Sequence, residues 1–241
     1  MVDMFPVLRV LGILVMIFSL SMGLPLAVSL WTGDGVWHVY PLAMAGTLAA
    51  GAWLWWRLRL FRQELQPRHG VMLVSLVWML LPLFSTVPLM LAAHHIGRPM
   101  SFTHAYFEAV SGLTTTGSTV LVGLDTLPVS VNVWRTFLQW MGGMGILILA
   151  VAVLPLLGVG GSQLFKAEAA GPLKDTKLTP RMTGTAKGLW GVYALFSTLC
   201  GVAYWAAGMA PLDALMHMFS TVSLGGLSSH DQSFGHFQSP L

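Results

Sequence analysis

Long apolar runs dominate this 241-residue chain and decide what it can fold into. A run of about 18 or more apolar residues is long enough to cross a lipid bilayer as a helix. Five runs approach or exceed that length, at residues 7–30, 37–57, 71–94, 133–157 and 187–208. The pattern predicts an all-α membrane protein with several spans.

The composition supports this prediction and excludes other classes of protein. Charged residues make up 9% of the chain, whereas a soluble domain carries about 25%. The formal net charge of +3 comes from basic residues that are too few and too scattered for a nucleic-acid-binding patch. The single cysteine, Cys200, lies within an apolar run, so an internal disulfide is excluded and a cysteine-based metal site is not expected.

The positions of the basic residues predict an orientation in the bilayer. Lys and Arg resist translocation, so they collect on the cytoplasmic side. With a cytoplasmic N-terminus, only Arg98 and Arg135 fall in outer segments. The other ten lie inside: Arg9, Arg57, Arg59, Arg62, Arg68, Lys166, Lys174, Lys177, Arg181 and Lys187. We therefore expect the N-terminus in the cytoplasm.

Two shorter segments, residues 102–117 and 211–226, do not fit a simple bundle of spans. Both are too short to cross the bilayer and both fall on the outer side, which is typical of re-entrant or interfacial elements. Shifting the sequence by 109 residues places Ser111 on Ser220 and Gly117 on Gly226. The repeated unit is predicted to be a helix, a short descending helix, an extended polar stretch and a second helix.

This repeat points to a binding site for a cation. A short helix that enters from outside directs its partly negative C-terminal end toward the bilayer centre. Beyond it, an extended stretch such as residues 114–117 exposes carbonyls that lipid cannot satisfy, so it must line a cavity filled with water or ions. A glycine at the end of the stretch allows close approach of an ion. The pattern predicts coordination of a dehydrated cation by backbone carbonyls, with no bond made or broken.

A simpler interpretation exists for each copy alone. Gly and Thr also form turns in outer loops. The repetition at matching positions favours the cation filter. Neither copy carries a ring of carboxylates, and Glu108 and Asp213, on the short helices, are expected to have polar interfacial roles.

Five motifs in order resemble the TrkH/TrkG family of bacterial potassium-uptake transporters, part of the Trk, Ktr and HKT superfamily. They are SGLTTTGS at 111–118, QWMGGMGI at 139–146, LPLLGVGG at 154–161, KDTKLTPR at 174–181 and STVSLGGLSSHD at 220–231. The resemblance implies two N-terminal transmembrane helices in residues 1–62 and a helix/pore-loop/helix repeat of potassium-channel type in 70–157. A cytoplasmic loop in 158–186 and an incomplete second repeat, a helix and a pore loop, in 187–241 would follow.

The resemblance also implies a function, which is uptake of K⁺, with Rb⁺ as a substitute, across the bacterial inner membrane. It implies no enzyme activity and no cofactor. The filter positions carried over from the family are Thr114, Thr115, Thr116, Gly117, Thr221, Val222, Ser223, Leu224, Gly225 and Gly226. The implied partners are a TrkA-type cytosolic nucleotide-binding subunit near the 158–186 loop and, in a full-length protein, a second copy. Since family members surround one pore with four repeats, we expect this chain to resemble the N-terminal half of a transporter.

The sequence predicts structural rather than functional roles for several other glycines and histidines. Gly142, Gly143 and Gly145 are expected to allow close helix packing. His94, His95 and His104 have no cysteine or carboxylate at ligand spacing, so they are expected at the membrane interface rather than in a metal site. The loop at 158–187 is rich in glycine but lacks the Lys-Ser/Thr of a phosphate-binding loop.

Two alternative functions stay open at this stage. The chain could be a membrane fragment that keeps the fold but transports nothing. It could also be an intramembrane serine hydrolase that uses Ser228 or Ser229 with His230 and Asp231. The second alternative is disfavoured, because adjacent residues do not readily form a nucleophile, a base and an orienting group in line, and no nucleophile elbow surrounds them.

Overall fold

The structure, a computed structural model, describes residues 4–61, 67–153 and 178–237. Within these ranges the chain forms helices and no strands. They include α1 Phe5–Ser21, α2 Gly23–Thr32, α3 Val39–Leu58, α4 Pro67–His95, α6 Val129–Val153 and α7 Leu178–Ala206. Two 12-residue helices, α5 Phe102–Leu113 and α8 Pro211–Val222, and two 3₁₀ turns, Leu124–Thr126 and Ser233–His236, complete the described part. The prediction of an all-α protein is confirmed.

Three helical stretches in the described part are long and apolar enough to cross a membrane, namely Phe5–Thr32, His69–His95 and Gly184–Ala206. Their apolar side chains lie mostly on the outside of the molecule. On α7, for example, Phe196 and Trp205 are 60% and 63% exposed. Large exposed apolar faces of this kind are stable against lipid and not against water. The other two predicted spans correspond to α3 and α6, helices of 20 and 25 residues.

The first predicted span is not one continuous helix. It breaks at Met22, between α1 and α2. Pro25 accounts for the break, because its ring has no N–H and clashes with the carbonyl four residues earlier, that of Ser21. The hydroxyls of Ser19 and Ser21 donate to carbonyls one turn back, at 2.6 Å each, and supply hydrogen bonds at the interruption.

Close contacts between helices depend on small residues. A Cβ added to Gly12 on α1 would lie 2.9 Å from the Gly51 carbonyl oxygen on α3, and one added to Gly51 would lie 2.8 Å from the Gly12 carbonyl oxygen. The two backbones therefore touch where the helices cross, as is common in membranes. This crossing holds α1 and α3 together, and both helices contribute side chains to the core that they share with α4, α5 and α6.

Helix α6 packs against the ends of both short helices through two of its three glycines. A Cβ at Gly142 would lie 1.8 Å from the Leu113 carbonyl oxygen at the end of α5. A Cβ at Gly143 would lie 2.9 Å from Cβ of Ser223, just after α8. At Gly145 the nearest atom would be 3.6 Å away. The expectation of close packing therefore holds at Gly142 and Gly143 and was wrong at Gly145.

The carboxylate of Asp34 connects the turn between α2 and α3 to the start of α6. It accepts hydrogen bonds from the Ser130 backbone N–H at 2.9 Å, the Val36 N–H at 3.4 Å and the Ser29 hydroxyl. Partial burial raises the pKa of Asp34, but the hydrogen bonds from Ser130 and Ser29 outweigh it, so the pKa lies below its usual value.

Gly142→Ala and Gly145→Ala form a matched pair that tests the packing of α6. The new methyl at position 142 meets backbone, which cannot swing aside, so we expect a loss of about 1–3 kcal/mol in the free energy of unfolding. The change at Gly145 should be close to neutral. Thermal melts of the two purified variants in detergent check this, and equal melting temperatures would contradict the packing described.

The carboxylate of Asp34 should make stability depend on pH. A carboxyl whose pKa is lowered by folding stabilises the fold above its unfolded pKa, about 3.9, and this contribution disappears as the pH falls through the folded pKa. At pH 7 we expect Asp34→Asn to lose about 1 kcal/mol, because the group is partly exposed and screened. The difference in melting temperature between wild type and variant should shrink below pH 4. A difference that is constant from pH 7 to 3 would contradict this account.

Candidate functional site

The two short helices end in the same backbone conformation, 109 residues apart. Just beyond α5, Thr115 and Gly117 have positive φ angles of 56° and 75°. Beyond α8, Leu224 and Gly226 have φ angles of 58° and 80°. Positive φ is uncommon for residues other than glycine, and at Leu224 it is a strained conformation that the surroundings must enforce. The backbone thus repeats with the same offset as the sequence.

The hydrogen bonds at the two helix ends repeat as well. In the first loop, the N–H groups of Thr114, Thr115 and Thr116 donate to the carbonyls of Val110, Gly112 and Ser111, at 2.8, 3.0 and 2.9 Å. In the second loop, the N–H groups of Ser223, Leu224 and Gly225 donate to the carbonyls of Phe219, Thr221 and Ser220, at 3.4, 3.0 and 2.8 Å. Every partner is shifted by 109 positions. These bonds satisfy the last carbonyls of each helix, and the chain leaves the helical conformation at this point.

The carbonyls of the stretch itself are left without hydrogen bonds. In the described ranges no donor reaches the carbonyl oxygens of Thr115, Thr116 or Gly117, nor those of Leu224 or Gly226. The side-chain hydroxyls of the loops bond back to the helices instead, such as Thr114 to the Val110 carbonyl at 2.7 Å. Free carbonyls next to the C-terminal end of a helix provide partial negative charge, which suits a cation.

The structure brings the predicted filter residues of the two copies together. A Cβ at Gly117 would lie 1.8 Å from the Gly225 carbonyl oxygen, so the loops are in direct contact. Residues 114–117 and 223–226 occupy equivalent places in the two loops. Thr221 and Val222 form the last turn of α8, and the Thr221 carbonyl accepts the Leu224 N–H.

A buried ion pair supports the first loop. The Glu108 carboxylate on α5 lies 3.2 Å from Nε of Arg135 on α6, and both side chains are at most 1% exposed. The carboxylate also accepts the Val120 N–H at 2.6 Å, the Leu121 N–H at 3.3 Å and the Thr119 hydroxyl. The pair therefore fixes the segment that leaves the first loop to both helices.

The burial of this pair corrects the expectation for Glu108. Glu108 does not have an interfacial role, because its charge is buried and paired. Arg135, which was counted with the outer segments, is buried within α6, where N–H groups other than Nε donate to Asn132 and Thr119 at 3.0 Å each. Asp213 on α8, which matches His104 rather than Glu108 in the 109-residue repeat, accepts the Ser229 hydroxyl at 2.8 Å. The two carboxylates thus hold the segments that follow their own loops.

Gln139 is a site residue that sequence reasoning missed. It is fully buried on α6, and its Oε1 accepts the N–H of Leu227, in the segment after the second loop, at 3.2 Å. Its Nε2 would lie 3.7 Å from a Cβ at Gly117 and has no hydrogen-bond partner among the described residues. Gln139 therefore lies against both loops. The available signal was a polar residue within an apolar span, which marks a functional position in membrane proteins.

Two further contacts join the segments beyond the loops. The carboxylate of Asp231 accepts the N–H groups of Gly123 and Leu124, at 3.0 and 3.2 Å. In return the Asp231 N–H donates to the Asp125 carboxylate at 3.3 Å. These reciprocal bonds between residues more than 100 positions apart join the segments that follow the first and second loops.

The residues of the hydrolase alternative are not arranged for catalysis. The hydroxyl of Ser228 lies 3.1 Å from Nε2 of His217, not of His230, and Nδ1 of His217 contacts the backbone carbonyl of Asp213. Ser229 donates to Asp213. No nucleophile, base and carboxylate stand in line there.

The three histidines that were expected at the membrane interface lie at the surface of the molecule. His94, His95 and His104 are exposed, and His95 packs its ring against that of His38, with centroids 4.6 Å apart. Most of the predicted cytoplasmic loop at 158–186, including Lys166 and Lys174, lies outside the described residues.

Comparison with known proteins agrees with this geometry. The family model of TrkH, a cation transport protein, matches residues 40–241. The chain is 50% identical over 233 residues to the Trk system potassium uptake protein TrkH of Halomonas elongata, covering 97% of this chain and 48% of that protein. It is 40% identical over 230 residues to TrkG of Escherichia coli, covering 95% and 47%.

The same relationship holds in three dimensions. The crystal structure of the potassium transporter TrkH from Vibrio parahaemolyticus superimposes with a TM-score of 0.85 and 41% sequence identity. The match covers 98% of this chain and 47% of that one. The chain therefore spans about half the length of the relatives it matches. On the sequence match, the identity and the shared architecture, the chain belongs to the TrkH family of cation transport proteins.

Proposed function

We propose that this chain takes part in K⁺ uptake, with the ion held by the backbone carbonyls of the two loops. The observation that carries the proposal is the repeated loop geometry, in which residues 114–117 and 223–226 leave carbonyls free of hydrogen bonds. The matched relatives are named as potassium uptake proteins, which favours K⁺ over other cations. Rb⁺ should follow the same route, because carbonyl coordination depends on charge and size.

The hydrogen bonds of the two loops indicate which filter residues coordinate the ion. We assign ion coordination to the carbonyls of Thr115, Thr116 and Gly117 in the first loop and of Leu224 and Gly226 in the second. The hydroxyls of Thr114 and Ser223 bond to the carbonyls of Val110 and Phe219, so their role is to close the helix ends. The N-terminal filter positions Thr221 and Val222 contribute through the end of α8 rather than as ligands.

The proposal includes the membrane, the orientation and the partners of the chain. We place it in the bacterial inner membrane with its N-terminus in the cytoplasm, following the excess of basic residues in the predicted inner segments. The loops then lie toward the outer side. A TrkA-type cytosolic subunit would meet the 158–186 loop, and a second copy of the full-length protein would form a homodimer. A ring of four loops needs two more than this chain provides, either from further sequence or from a second chain.

Gly117 offers the sharpest test of the filter. A methyl at Gly117 must displace the Gly225 carbonyl, whereas one at Gly97, which has a similar φ of 73°, meets open space. Both changes impose the same backbone strain, but only Gly117→Ala touches the loops. We expect Rb⁺ uptake, in cells that lack their own potassium-uptake systems, to fall at least about tenfold with Gly117→Ala and to be unchanged with Gly97→Ala.

An empty vector and membrane-insertion assays complete this experiment. Equal uptake by Gly117→Ala and wild type would contradict the filter assignment. Uptake by the inserted wild-type chain no higher than with the empty vector would contradict conduction by this chain and favour the non-transporting alternative.

Glu108 tests whether the buried ion pair supports the filter. Glu108→Gln leaves Arg135 buried without a counter-charge, which costs about 3–5 kcal/mol. We expect a clearly lower melting temperature and loss of Rb⁺ uptake. Replacing Arg135 by Met in the same variant removes the unpaired charge and should recover part of the stability, though not the uptake, because the segment after the loop stays unanchored.

The matched control is Arg98→Gln at an exposed position, where one hydrogen bond to Thr126 at 3.0 Å is lost. We expect a change below about 1 kcal/mol there. A Glu108→Gln variant as stable as Arg98→Gln would contradict a structural role for the ion pair.

A further inference from the structure

A group of three metal-ligating side chains lies beside the contact between the segments that follow the two loops. It consists of Asp125 on the first 3₁₀ turn, His230 after the second loop and His236 on the second 3₁₀ turn. One ligand atom from each side chain lies within 4.8 Å of the others. We propose that these three residues bind a divalent transition metal of the zinc type, at a site separate from the carbonyl filter.

The donor set fits such a metal. Two imidazole nitrogens and one carboxylate oxygen are the ligands that Zn²⁺ takes, whereas Mg²⁺ prefers oxygen alone. Nδ1 of His230 contacts Oδ1 of Asp125, and Nδ1 of His236 lies 3.9 Å from the same oxygen. Ligand atoms around tetrahedral Zn²⁺ are separated by about 3.3 Å, from bond lengths of about 2.0–2.2 Å. Three-fold coordination therefore requires small shifts of these atoms together with a reorientation of the His236 ring.

Two neighbouring aspartates lie against the first two ligands. Oδ1 of Asp213 lies 3.2 Å from Nε2 of His230, on the opposite side of the ring from Asp125. The two atoms make no hydrogen bond in this arrangement, so Asp213 is close enough to attract the ring by charge, and a small rotation would let it orient His230 as carboxylates orient metal-bound histidines. Asp213 is fixed in turn by the Ser229 hydroxyl, and the other oxygen of Asp125 accepts the Asp231 N–H.

The third ligand must turn to reach the ion. The imidazole of His236 is stacked on that of His230, with planes 3° apart and centroids separated by 3.6 Å. Metal binding requires the His236 ring to tilt out of this stack so that its Nδ1 faces the ion. The side chains of His236 and Asp125 are 47% and 43% exposed, which gives a metal ion access from solvent and leaves a fourth position for water.

A bound metal would act as a clamp between the two repeats. Asp125 belongs to the segment after the first loop, and both histidines belong to the segment after the second. Coordination would join these segments more strongly than the present hydrogen bonds through Asp231. A metal that binds the folded chain and not the unfolded one raises its stability.

The test uses the whole chain, purified in detergent without a polyhistidine tag, stripped with chelator and kept in a buffer free of K⁺. Zn²⁺ is titrated by calorimetry into wild type, His236→Ala and His104→Ala, the last an exposed histidine away from the cluster. We expect one equivalent bound by wild type and by His104→Ala, and an affinity at least about tenfold weaker in His236→Ala. Equal affinity in all three proteins, or no binding to wild type, would overturn the proposal.

Thermal melts separate metal binding from folding. His236→Ala should melt at the wild-type temperature without metal, because the residue is half exposed. Zn²⁺ should raise the melting temperature of wild type but not of His236→Ala, and Mg²⁺ should raise neither. Equal stabilisation of both proteins by Mg²⁺ and Zn²⁺ would overturn the proposal. Since no K⁺ is present, the result is independent of the filter.

Discussion

The buried ion pair between Glu108 and Arg135 is the interaction on which the site depends. Two charges removed from water are tolerated only when each is satisfied, and here backbone N–H groups, Thr119 and Asn132 complete the set. The pair connects α5, α6 and the chain leaving the first loop. It therefore fixes the chain next to residues 115–117, whose carbonyls accept no hydrogen bond from the described residues.

The second loop reaches the same backbone with different residues. Thr-Thr-Gly at 115–117 corresponds to Leu-Gly-Gly at 224–226, and both keep positive φ at the first and last position. Leu224 is 90% exposed, so its side chain contributes no packing within the described part that would explain this conformation. The shared element is the hydrogen bonding of the helix ends. A site built from backbone carbonyls tolerates this variation, because side chains only need to permit the conformation.

The sequence predicts what depends on local patterns. Apolar runs predict the long helices, and the 109-residue repeat predicts the positions of both loops. These patterns do not predict contacts between distant residues. Examples are the hydrogen bonds of Gln139 with Leu227 and of Asp231 with Gly123, and the ion pair of Glu108 with Arg135. The break at Met22 was also missed, since one proline in an apolar run does not always interrupt a helix. His94, His95 and His104 were expected at the membrane interface, and nothing in the sequence indicated that His230 and His236 lie together with Asp125.

Direct location of the ion tests the central claim, that backbone carbonyls of the two loops bind K⁺. Crystals of the protein grown with Rb⁺ in place of K⁺ would show the ion by its anomalous scattering. The account predicts a peak within coordination distance of carbonyl oxygens from both Thr116 and Gly226 or their immediate neighbours in the loops. A peak coordinated only by side-chain oxygens, or an ordered pair of loops with no peak at saturating Rb⁺, would contradict it.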